Sequence, residues 1–65
     1  MTLTKRQREV VTLLVAGMSY KRVAFALGIS EHTVCVHVRM VASQLPGDAP
    51  MLRRVLAHAP ELLAA

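Results

Sequence analysis

His32, Val36, Arg39 and Ser43 stand four, three and four residues apart near the middle of this 65-residue chain. At about 100° per residue a helix gathers all four on one face, with Cys35 on its flank. On the opposite face the same stretch carries Val34, Val38, Val41 and Leu45, again spaced four, three and four. One side therefore suits a protein core, and the other sets short side chains around a single guanidinium. This arrangement suits recognition. Arg39 offers a planar fork of hydrogen-bond donors, and its short neighbours let the helix lie close against another surface. The major groove of DNA is wide enough to admit such a helix; there an arginine pairs two-pronged with guanine, and a valine methyl can meet the methyl of thymine. On this face His32 joins the candidate base contacts, and Ser43 the candidate phosphate contacts.

Other chemistries fit these residues less well. His32, Cys35 and His37 invite a metal reading, but on one helix His37 points to the core flank, away from His32. Zinc asks for a tetrahedron of ligands, and no further ligand type is near in sequence, so neither metal nor other cofactor is expected. A redox role for Cys35 needs a lowered thiol pKa; the simpler expectation is a small neutral side chain, exposed at the reading surface. No Ser-His-Asp set, paired carboxylates or phosphate-cradling glycine loop is present, so no enzyme is expected.

The helix so defined needs a scaffold, and local signals supply one. Thr4 and Gln7 fit a capping box, followed by Val10, Leu13, Leu14 and Gly17 at helical spacing, with Val11 and Val15 widening the stripe. Ser19 can cap a short helix that Gly28 stops; Val23 and Leu27 face inward, and Ala24 allows close helix approach. Ile29 plugs the turn, and Ser30 caps the third helix, with Glu31 favourably placed at its positive end. Pro46-Gly47 ends that helix. Asp48 is the expected cap of a fourth, in which Leu52, Val55, Leu56 and Ala59 form a stripe that Pro60 interrupts. The reading is one all-α, compact four-helix domain over 1–65, with helices at about 4–16, 19–27, 31–45 and 49–59. The second and third form a helix-turn-helix.

Composition agrees. The hydrophobic fraction of 54% comes mostly from small aliphatic residues, with Tyr20 and Phe25 the only aromatic side chains, a supply that suits closely packed helices over a β-sandwich. The net charge is +4, which points to an anionic partner. Lys5, Arg6, Arg8, Lys21, Arg22 and Arg39 face only Glu9 and Glu31 in the first forty residues, whereas Arg53 and Arg54 are balanced by Asp48 and Glu61. A single cysteine excludes an intramolecular disulfide. There is no signal peptide, nor the run of about 20 apolar residues a membrane span needs. The cytoplasm is the expected location.

The chain resembles the LuxR/FixJ-type, or GerE-like, DNA-binding domain. The resemblance runs through Leu3-Thr4, Arg6, Glu9-Val10, Leu13-Leu14 and Gly17. It continues through Ser19, Lys21, Val23-Ala24, Leu27, Ile29-Ser30, Thr33-Val34, His37, Val41 and Leu45. It implies a third helix in the major groove and a fourth that dimerises on a near-palindromic site. Residue by residue, it implies base contacts at Cys35, Val36 and Arg39, and phosphate contacts at Lys21 and Thr33. Four positions depart from the family's usual residues: Tyr20 (usually Asn), Arg22 (usually Glu), Phe25 (usually polar) and Cys35 (commonly Lys). Arg22 adds a further candidate phosphate contact beside Lys21, while Cys35 removes a cation and with it some electrostatic grip. Phe25 either packs on the first helix or a tail residue, or meets a partner. Beginning at Met1, the chain reads as a free-standing member or an excised domain.

The expectation is a DNA-binding transcriptional regulator acting on double-stranded DNA as a homodimer, with Leu52, Val55, Leu56 and Ala59 at the dimer interface. The competing expectation is a free-standing interaction module that pairs with another regulator or other host protein and inhibits it.

Overall fold

The computed structural model describes residues 2–64 and builds them as four helices: α1 (Lys5–Val15), α2 (Tyr20–Leu27), α3 (Glu31–Ala42) and α4 (Met51–Ala64). Among these residues α1 packs on the other three, α3 does likewise, and α2 and α4 lie apart on either side of that pair. The core is rich in valine: Val10, Val11, Val23, Val34, Val38, Val41 and Val55 are its largest fully buried side chains. Leu3, Leu14, Ala24, Ala42, Ala59 and Leu62 fill the space between them. Short β-branched residues suit this job because they lose little rotamer freedom on burial and let helix axes come close. The stripe of α1 is narrower than its sequence suggests, since Val15 is 51% exposed.

The helix starts follow the caps. Thr4 Oγ1 accepts from the Gln7 amide at 3.1 Å, and Gln7 Oε1 accepts from the Thr4 amide at 3.0 Å. This reciprocal box accounts for Gln7 being the one buried polar side chain among the described residues. Ser19 Oγ accepts from the Arg22 amide, and Ser30 Oγ from the Thr33 amide. Between α2 and α3, Gly28 takes φ +68°, a left-handed conformation that glycine adopts at least cost. Its amide donates to Phe25 O at 3.3 Å and that of Ile29 to Ala24 O at 3.0 Å, the paired bonds of a Schellman turn. Ile29 is half-buried against the core. This closed turn fixes how α3 leaves α2.

The end of α3 and both ends of α4 differ from the sequence expectation. The third helix stops at Ala42, three residues before Leu45. The chain tightens into i→i−3 bonds, Gln44 to Val41 and Leu45 to Ala42, so Leu45 still packs on the core without being helical. The Ala42 carbonyl is also taken by Arg54, whose guanidinium donates to it at 3.0 Å and to Ala49 O at 2.9 and 3.2 Å. Asp48 is not the cap of α4; the Arg54 amide donates to Pro50 O, which puts the cap at Pro50.

At its far end α4 runs through Pro60 to Ala64. A proline inside a helix costs about 3 kcal/mol. Offsetting that here are the burial of Leu62 to 4% exposure, generally about 1.5–3 kcal/mol for a leucine, and a bond from the Arg8 guanidinium to Leu63 O at 3.1 Å. The tail is tied to α1, and the helix continues.

Candidate nucleic-acid interface

The caps and core fix the rotation of α3. Val34, Val38 and Val41 are fully buried, Ala42 nearly so, and the face opposite them points out of the fold. His32, Arg39 and Ser43 are exposed on it, with Cys35 and Val36 half-buried at its edges. The expectation that Cys35 is exposed is therefore corrected, and Val36, on the outer face as expected, is partly covered as well. Cys35 lies near Tyr20 at the start of α2. Partial burial and, to a lesser degree, the Cys35 thiolate push the Tyr20 phenol above its ordinary pKa of 10.0. Met40, 49% exposed, stands one helical turn beyond Val36. It belongs to the outer face but carries no polar signal that sequence reading would single out.

Cations divide into two groups. Arg8 and Arg54 hold backbone carbonyls, and Arg6 pairs with Glu9 at 3.1 Å. Lys5, Lys21, Arg22, Arg39 and Arg53 are exposed and form no ion pair among the described residues. The first group is structural; the second is what remains for an anionic partner. Lys21 and Arg22 sit in the first turn of α2, where the exposed amides of the helix end add positive potential.

The hydroxyls are committed locally. Thr33 Oγ1 is 2.9 Å from Ser30 Oγ within the α3 cap, and Ser43 Oγ donates to Met40 O at 2.8 Å. His37 is half-buried, and its Nδ1 has no hydrogen-bond partner among the described residues. No group of three or more His, Cys, Asp or Glu side chains among the described residues is placed to hold a metal ion. Among the described residues no helix is long and apolar enough to cross a membrane.

On α4 the four residues expected at a dimer interface separate. Val55 and Ala59 are buried, at 0% and 4% exposure, and belong to the core. Neither side chain is available to a second chain, because both close the contact of α4 with α1 and α3. Leu52 and Leu56 remain 37% and 38% exposed. Phe25 is 89% exposed, so packing on α1 or the tail is excluded.

A short helix, a Schellman turn and a second helix with its polar face outward define this site as a helix-turn-helix on a four-helix scaffold. Residues 1–46 match the model of the bacterial regulatory proteins of the luxR family, and the chain belongs to that family. It is similar to the transcriptional regulatory protein UhpA of Escherichia coli, 40% identical over 55 residues, covering 82% of this chain and 28% of UhpA. It is likewise similar to the transcriptional regulatory protein FixJ of Rhizobium meliloti, 42% identical over 50 residues, covering 69% of this chain and 24% of FixJ. The chain thus spans about a quarter of the length of these relatives. No solved structure matches it significantly.

Proposed function

We propose that this chain binds double-stranded DNA sequence-specifically and serves transcriptional regulation, with α3 in the major groove. The observation that carries this reading is Arg39: an exposed guanidinium without an ion pair among the described residues, on the face of α3 opposite its buried valines. A 12-residue helix is about 18 Å long, enough to cross the groove with Arg39 near its last turn. Arg39 reads guanine; Val36 supplies methyl contact, and His32 and Cys35 border the same base edges. Lys21 and Arg22 take phosphates at the start of α2. Thr33 and Ser43 donate to phosphate after their hydroxyls rotate away from Ser30 and Met40.

Recognition by one short helix with one arginine is weak, and a homodimer answers that by joining two half-sites. The exposed edge of α4 at Leu52 and Leu56 is the surface proposed for it. Names of the two relatives, both transcriptional regulatory proteins, agree with the regulatory role. Selection of duplexes from a random pool with the purified chain tests this reading. The expected product is an inverted repeat whose half-sites lie about 10 base pairs apart, one helical turn; a pool that stays random after repeated rounds would overturn it.

A further inference from the structure

The outward face of α2 is used by neither the core nor the reading helix. Val23 and Ala24 are buried and Leu27 is half-buried, which sets the inner side of α2. At helical spacing Phe25 then falls opposite them, one turn beyond Lys21 and Arg22. Its 89% exposure is the largest among the exposed large hydrophobic residues. Met18, Lys21, Arg22, Phe25 and Ala26 line one shallow apolar depression, and no Asp or Glu occurs in α2.

This combination narrows the occupant. Phosphate would engage the two cations but leave the phenyl ring wet. A lipid surface asks for a broad apolar stripe along a helix, whereas here one ring and one methionine stand between charges. A second copy of this chain meeting the face about a two-fold axis would bring its own Lys21 and Arg22 against these two, a like-charge juxtaposition that costs affinity. An acidic segment with an apolar side chain satisfies both features at once. Its carboxylates meet the cations, and its apolar group covers the ring, the usual anatomy of an aromatic anchor with a charged rim.

We propose that the Met18–Ala26 face of α2 is a docking site for an acidic protein segment that carries an apolar anchor. The inference goes beyond the DNA reading and does not depend on it. Lys21 and Arg22 are also the proposed phosphate contacts, so the segment and DNA compete for these two cations, while Phe25 serves the segment alone.

The test is selection of random twelve-residue displayed peptides on the full chain, followed by titration of the enriched peptides against the wild type and Phe25→Gln. An exposed position tolerates glutamine without loss of fold, which circular dichroism verifies. The expected peptides are rich in Asp and Glu with a bulky apolar residue, and bind Phe25→Gln about tenfold more weakly or worse, the loss typical of a removed anchor. Their amide shifts on the wild type fall within residues 18–26, and raising salt weakens them. Phe25→Gln keeps the wild-type affinity for a selected duplex. The proposal is overturned if no peptide is enriched, if the enriched peptides lack acidic residues, or if they bind both proteins equally. It is also overturned if Phe25→Gln loses duplex affinity, which would assign the ring to nucleic acid. Failure of the DNA reading registers separately, as absence of duplex binding by the wild type.

Discussion

Replacing Arg54 by Met keeps the aliphatic stem and removes the guanidinium that joins the end of α3 to the start of α4. Three hydrogen bonds disappear, one to Ala42 O and two to Ala49 O. The two on Ala49 share one acceptor, so they count as little more than one. A hydrogen bond involving a charged group is worth about 1.5–3 kcal/mol, and the half-buried position of Arg54 brings the value toward the lower end. The expected loss is about 2–3 kcal/mol. Against a total near 3–10 kcal/mol for a domain of this length, that is a large fraction of the stability. Urea unfolding followed by circular dichroism measures it directly as a lower midpoint at unchanged slope. Arg54→Lys should fall between, since an ammonium cannot bridge both carbonyls as a planar fork does. The neighbouring Arg53 is exposed, and Arg53→Met should stay within about 0.5 kcal/mol of the wild type. Equal effects at Arg53 and Arg54, or a loss below about 0.5 kcal/mol at Arg54, would refute the reasoning.

Other expectations follow from burial and charge. Leu56→Glu, at a residue 38% exposed, should leave the monomer folded and abolish concentration-dependent association in sedimentation equilibrium. Val55→Ala, fully buried next to it, should cost about 2 kcal/mol by cavity formation; equal unfolding by both variants would remove α4 as an interface. The folded chain holds the Tyr20 proton more tightly than the unfolded chain, because its phenol is raised above 10.0. Stability from this group is therefore intact below pH 10.0 and declines as pH rises through the folded midpoint. Phenolate absorbance should show that midpoint above 10.0, and Cys35→Ser should lower it only in part, since burial is the larger cause. A wild-type midpoint at 10.0 would contradict the packing of Tyr20 beside Cys35.

The sequence was most informative where structure is decided locally. Thr4 with Gln7, Ser19, Gly28 and Ser30 each act within a few residues, and the structure places a cap or turn at every one of them. The inward stripe of α3 was legible for the same reason, as periodicity alone sets which side is apolar. What escaped depends on contacts distant in the chain. Arg54 and Arg8 look like two more surface charges, yet each reaches a carbonyl from another element, 12 and 55 residues away. Those bonds help decide where α3 ends and why α4 survives Pro60. Spacing also cannot say how deeply a stripe is covered, so Val55 and Ala59 read like Leu52 and Leu56 although only the latter pair reaches solvent. At the candidate site, the position of Arg39 was legible from spacing, whereas the partial burial of Cys35 and Val36 was not.

The central claim, that α3 reads DNA through Arg39, is tested most directly by anisotropy titration of a selected duplex and its scrambled counterpart. Wild type and Arg39→Ala are compared at several salt concentrations. Wild-type affinity should fall linearly on logarithmic axes as salt rises, through counterion release. Arg39→Ala should lose about 1–3 kcal/mol, roughly 5- to 150-fold, on the selected duplex and much less on the scrambled one. Binding insensitive to salt, or an Arg39→Ala protein that still discriminates between the two duplexes as the wild type does, would contradict the account.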